Sequence, residues 1–219
     1  NRGLGNVNLN LGLVYSNMGD FTQAVKYNEI ALKYYTELNN PLLIGTVFNN
    51  IGLIYIRQRT FNKAKEYLDT SLVYLKQAGA TGSMGDPLLN LAIIEGERNN
   101  NEKSLQLYLQ ALEIFLANDN KVKAGSIYNN IGNIYTNLLD FANARKYLER
   151  SIAVKREVFD TLGLATSYVN IATNYRMAKK YKLMRPYLDT CYMFLVKTPS
   201  AEIEVYYYEE FFQYFMFTG

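Results

Sequence analysis

A chain of 219 residues that is 49% hydrophobic and 20% charged has the composition of a folded protein, long enough for one or two compact domains or one repeat array. Its formal net charge of +3 gives no footing for nucleic acid or an anionic membrane as main partner, and no run of about 18 apolar residues is present to span a bilayer. With no histidine and a single cysteine, Cys191, the chain lacks the parts for Ser-His-Asp triads, Cys-His pairs, most zinc sites and an internal disulfide. No metal or other cofactor is expected.

The predicted elements are helices, and they come in units of 40 residues. The first unit, about 5–40, places Gly12 and Tyr15 on one helical face; Asp20 then stands in N-cap position for a second helix carrying Phe21, Ala24, Tyr27 and Ala31. The second, about 41–84, opens on Asn40-Pro41, a cap before a proline at the first helical position. It repeats the series as Gly52, Tyr55, Thr60, Phe61, Ala64, Tyr67 and Ser71. The third, about 85–124, is the most degenerate, with Ala92, Glu95, Asn100, Asn101, Ser104, Leu107 and Ala111. Residues 78–86 carry three glycines and read as a mobile loop, and Asp86-Pro87 reads as a late cap that shortens the following helix. The fourth, about 125–164, restores Gly132, Tyr135, Asp140, Phe141, Ala144, Tyr147 and Ser151. The fifth, about 165–200, has Ala172, Tyr175, Tyr181, Met184, Tyr187 and Cys191; Lys180 breaks the capping rule, and Pro186 should delay or kink the second helix. Residues 201–219 read as the first helix of a sixth unit, with Gly219 in the place of Gly19. The chain starts at Asn1 without a methionine and stops at a turn, so it reads as a piece of a longer protein.

Each unit is thus a helix-turn-helix whose small residues let two backbones approach while aromatics fill the wedges. A lone hairpin cannot bury both of its apolar stripes, so neighbours must stack and share a core. The series of a small residue, Tyr three later, Phe nine later, Ala twelve later and a small residue nineteen later resembles the tetratricopeptide repeat over nearly the whole chain. The usual repeat is about 34 residues. The resemblance implies an all-α fold: a right-handed α-solenoid of antiparallel helical hairpins, five repeats plus the first helix of a sixth, whose first helices line a concave groove. Forty-residue versions are similar to those of bacterial regulators that bind peptides and of scaffolds that bind extended segments. The NNIGNIY style is similar to repeat regions attached to bacterial sensor kinases and transcription regulators.

One polar feature recurs in register. Two residues before each small residue stands an asparagine: Asn10, Asn50, Asn90, Asn130 and Asn170. Asparagine is a mediocre helix former, so five at one spacing need a reason. An amide offers a donor and an acceptor, as a peptide unit does, so a row of them suits the backbone of an extended chain. The resemblance implies that this position faces the groove and bonds a bound peptide. The alternative is that each amide ties its helix to the next. The same register adds Asn133, Arg57 and Asn137 as groove candidates, with Arg176 beside them; Arg57 or Arg176 would meet an acidic or terminal carboxylate. A chaperone-type carboxylate clamp would want lysine one residue before the asparagine, where Leu9, Asn49, Leu89, Asn129 and Val169 stand.

No catalytic constellation is visible. The glutamates sit among lysines and arginines on solvated helix faces, GATGSMG lacks the setting of a phosphate loop, and Cys191 falls on a small core position. The sequence therefore reads as a non-enzymatic protein- or peptide-binding module, the sensing or docking region of a larger bacterial signalling protein. A scaffold or spacer acting through its ends or convex face is the alternative. The aromatic run 206–217 invites homodimer formation. The compartment stays open between cytoplasm and periplasm.

Overall fold

A computed structural model describes residues 1–219, and every regular element in it is helical. In chain order the helices are α1 (Arg2–Asn17), α2 (Phe21–Glu37), α3 (Pro41–Arg57), α4 (Phe61–Gln77), α5 (Gly85–Glu97), α6 (Asn101–Ala117), α7 (Lys121–Asn137), α8 (Phe141–Glu157), α9 (Thr161–Met177), α10 (Arg185–Lys197) and α11 (Ala201–Thr218). Short 3₁₀ turns occupy Thr81–Met84 and Tyr181–Leu183. The chain divides into two compact units, Asn1–Asn118 and Asp119–Gly219.

The turns explain the period. Every turn but that between α10 and α11 ends its helix with one residue in the left-handed region, at Gly19, Asn39, Arg59, Gly79, Asn99, Asp119, Leu139, Phe159 and Lys179. The next backbone N–H then reaches back to the last helical turn, as Asp20 N–H to Tyr15 O at 3.0 Å and Thr60 N–H to Tyr55 O at 2.9 Å. Turns within hairpins and between hairpins share this geometry, so the register of 40 is two steps of 20. Leu139 and Phe159 take positive φ of 61° and 55° without the freedom of glycine, a strain of about 1–2 kcal/mol each.

Asp20 and Asp140 cap α2 and α8 through Gln23 N–H at 3.0 Å and Asn143 N–H at 3.1 Å, and Asn40 caps α3 through Leu43 N–H at 3.1 Å. Thr60 and Asn100 hold the N-cap positions but turn their side chains away. Thr60 Oγ1 donates to Tyr55 O, and Asn100 Nδ2 donates to Glu95 Oε2. Asp86 is not a cap: the 3₁₀ turn at Thr81–Met84 runs straight into α5, leaving Asp86 and Pro87 inside its first turn. The glycine-bearing stretch is thereby helical from Thr81 onward, after a turn at 78–80, and α5 is 13 residues long against 17 for α3. Pro186 delays its helix as its ring requires: α10 starts at Arg185, after the 3₁₀ turn. α7 and α9 begin at Lys121 and Thr161, ahead of residues 125 and 165, because Asn120 and Asp160 cap them through Lys123 and Gly163 N–H.

Within the first unit α1 packs on α2, α3 on α4 and α5 on α6; α3 also rests on α2, and α5 on α4. Within the second unit α7 packs on α8 and α9 on α10, with α9 on α8 and α11 on both α9 and α10. First helices touch one another directly: α1 with α3, α3 with α5, α7 with α9 and α9 with α11. Glycine is required where helices cross, since a Cβ on Gly52 or Gly132 would stand 2.7 or 2.6 Å from Leu68 or Leu148 Cγ. Beside these crossings the recurring tyrosines pair in four hairpins, stacked for Tyr15 on Tyr27, Tyr55 on Tyr67 and Tyr135 on Tyr147 and tilted for Tyr175 on Tyr187, with centroids 5.2–5.5 Å apart. In the third hairpin Glu95 replaces the first tyrosine; its carboxylate, 5% exposed, takes Asn100 Nδ2 at 3.2 Å and Lys103 Nζ at 3.4 Å. Cys191 is fully buried, and burial pushes its thiol up to about 12, which makes it inert at neutral pH.

Candidate functional site: the first-helix faces

In the first unit the register asparagines differ in setting. Asn10 on α1 is exposed and Asn50 on α3 is half-buried, whereas Asn90 on α5 is buried. Asn90 Nδ2 donates to Asn49 Oδ1, 3.0 Å away on α3. Arg57, at the end of α3, turns onto the last turn of α1. Its Nη1 donates to Ser16 O at 3.0 Å, Ser16 Oγ at 2.9 Å and Asn17 Oδ1 at 3.3 Å. A cation on a helix C-terminus satisfies a carbonyl that the helix leaves orphaned and complements the dipole. Asn50 and Arg57 both line a small cavity of about 30 Å³ among α1, α2 and α3.

The larger feature lies in the second unit. A cavity of about 540 Å³ opens among α7, α9 and α11. Asn130 and Asn133 of α7 and Asn170 of α9 line it, together with Asn129, Thr166 and Tyr206. Asn170 Nδ2 donates to Asn129 Oδ1 at 3.0 Å, the same inter-repeat pairing that Asn90 makes with Asn49. Glu202, in the first turn of α11, is the one charged side chain on the wall. Asn137 is exposed on the last turn of α7, outside the lining. Arg176 of α9 is engaged by Glu210 of α11: Nε donates to both carboxylate oxygens, at 2.9 and 3.1 Å, and this bonding holds the guanidinium pKa above its ordinary value. Glu210 stands at the register position of the asparagines, is 5% exposed, and also accepts from Thr173 Oγ1 at 2.9 Å.

A buried polar chain runs up to this cavity from the hairpin core. Lys155 is 3% exposed on α8; its Nζ donates to Gly163 O at 3.0 Å and Ser167 Oγ at 2.9 Å on α9. Ser167 Oγ donates onward to Asn129 Oδ1 at 3.1 Å, the oxygen that Asn170 also uses. Burial pushes the Lys155 ammonium down to about 8, against the opposing pull of the Asp160 carboxylate. Asn174, fully buried on α9, is likewise held, by Arg145 at 3.0 Å and Thr136 at 3.1 Å. Sequence reasoning missed all three. The signal was present in register: Lys155 follows Tyr35, Leu75 and Phe115 at steps of 40, and Asn174 follows Ile54, Ile94 and Ile134. The doublets Asn49-Asn50 and Asn129-Asn130 likewise marked the accepting partners of the inter-repeat pairs.

No curated protein sequence matches the chain significantly. Solved structures do. BtubC (BKLC) from P. vanneervenii superposes with a TM-score of 0.77 at 23% identity, over 85% of this chain and 78% of that one. The Signal Transduction ATPase with Numerous Domains protein PH0952 from Pyrococcus horikoshii, which has a tetratricopeptide-repeat sensor, gives 0.78 at 16% identity; 86% of this chain and only 29% of that one are covered. The apo form of RapI gives 0.75 at 14% identity, covering 90% of this chain and 55% of that one. At these identities the likeness is one of fold. Two family models, both described as tetratricopeptide repeat, match residues 5–37 and 46–72 and residues 123–188, more than half of the sequence, and the chain belongs to the tetratricopeptide-repeat family.

Proposed function

We propose that this chain is the sensing or docking region of a larger bacterial signalling protein, and that it binds an extended peptide segment along its first helices. Tetratricopeptide repeats are in general protein-interaction modules. The observation that supports the reading further is the second-unit cavity, whose lining includes Asn130, Asn133 and Asn170. Its amides supply donors and acceptors to a peptide backbone, while Val169 and Ile203 offer apolar contact to side chains. The part that PH0952 has as a sensor is also built of tetratricopeptide repeats. In the first unit the matching elements are Asn10, Asn50 and Arg57, with Arg57 already bound to the end of α1.

The test is a peptide-array screen with the fragment, followed by affinities for the hits. Replacing Asn130 and Asn133 together with alanine should weaken binding about tenfold or more, the loss of one or two backbone hydrogen bonds, with the helical content unchanged. Undiminished affinity in a folded double variant would sink this reading. A second reading, assembly through an end of the molecule, is favoured by α11, on which Val205, Tyr208, Phe212 and Met216 are 58–66% exposed. The partner in that reading is a second copy of the chain.

A further inference from the structure

Asn28 is the polar exception in a row of core positions. Its counterparts at steps of 40 are Leu68, Tyr108, Leu148 and Leu188. It is 1% exposed, sits against Gly12 as Leu68 sits against Gly52, and donates one amide N–H to Ala24 O of its own helix at 2.8 Å. Its Oδ1 is the one buried side-chain polar atom without a partner in the protein. A buried acceptor left bare is costly, and leucine at three of the four equivalent positions shows that the site does not require an amide for packing.

The same residue lines the cavity of about 30 Å³ among α1, α2 and α3, with Ser16, Asn50 and Arg57 as its other polar groups. One water needs about 10–15 Å³ by this measure and two to four polar partners. Arg57 makes its hydrogen bonds from Nη1, and a guanidinium carries five N–H donors. Asn50 brings both a donor and an acceptor. The nearby positive charge of Arg57 disfavours a cation.

We propose that this cavity is a specific single-water site, in which the water donates to Asn28 Oδ1 and is held from the other side by Arg57 and Asn50. The bridge joins α2 to α3 and fixes the orientation of the Asn50 amide. Any group of a bound segment that displaced the water would have to supply the same donated hydrogen bond, or leave Asn28 stranded.

The test is a crystal structure of the ligand-free fragment at a resolution where waters refine individually, beside that of Asn28→Leu. The expected result is one fully occupied water within hydrogen-bond distance of Asn28 Oδ1 and of Arg57 or Asn50, and its loss in the variant. The Gly52–Leu68 and Gly132–Leu148 pairs show that leucine fits such a site, so Asn28→Leu should fold with its melting temperature raised. A dry cavity in the parent, or a water that persists in Asn28→Leu, overturns the proposal. Neither outcome depends on whether the groove binds a peptide.

Discussion

Lys155 is placed where a hydrophobic residue belongs, and its cost depends on pH. Its ammonium titrates near 8 in the folded chain against an ordinary 10.5, so the unfolded chain holds the extra proton between those values. The Lys155 contribution to stability therefore rises as pH climbs from about 8 toward 10.5, and it is lost as pH falls through 8. The tyrosines act oppositely at the upper end. Burial pushes Tyr187 and Tyr207 up to about 12 from 10.0, and the Cys191 thiol up to about 12 from 9.0, so the tyrosine contribution is present below 10, the cysteine contribution below 9, and each is lost above that value. Urea denaturation of the fragment should show stability increasing from pH 7.5 to about 9 and declining beyond 10. In Lys155→Met the rise below 9 should vanish, with higher stability at pH 7 because a buried amine gives way to an unbranched apolar chain. A rise that survives in Lys155→Met would show that some other group carries it.

At the scale of elements, α11 is held by one polar clamp. Glu210 takes the place of the register asparagine and binds Arg176 and Thr173 of α9, while Ile203 and Tyr207 supply buried apolar contact. Removing one member of a buried ion pair leaves the other uncompensated, which costs about 3–5 kcal/mol when burial is deep. Arg176 is about a third exposed at its side chain, so a smaller cost of about 1–3 kcal/mol is expected for Glu210→Leu. The effect should be local: amide exchange should quicken along α11 and leave α7 and α8 protected. Uniform exchange throughout the second unit would show instead that α11 unfolds only with its neighbours. The asparagine pairs Asn90–Asn49 and Asn170–Asn129 do comparable work between other first helices with neutral groups.

For the molecule as a whole, the register of 40 made the hairpins legible because it fixed small residues at crossings and tyrosines in wedges, which the structure places there. The turn geometry was less legible, since Leu139 and Phe159 adopt the left-handed conformation where sequence reasoning looks for glycine. The site was legible only in part. The spacing nominated Asn130, Asn133 and Asn170, which line one cavity, but side-chain reach decides partners, and so Arg57 and Arg176 meet this chain's own oxygens. The sixth unit departs from the register in a way that matters for assembly. Where α9 has Ala165 and Ala172, both fully buried under a neighbouring helix, α11 has Val205 and Phe212, bulky and exposed. A second helix cannot approach α11 as closely as α10 approaches α9, whereas a stripe of Val205, Tyr208, Phe212 and Met216 at spacings of three and four suits a looser aromatic interface with a second copy. Light scattering after gel filtration should therefore show a concentration-dependent dimer, and Phe212→Glu with Met216→Glu should return it to monomer without loss of helical signal. A parent fragment that stays monomeric at hundreds of micromolar would leave this face without a role in self-association.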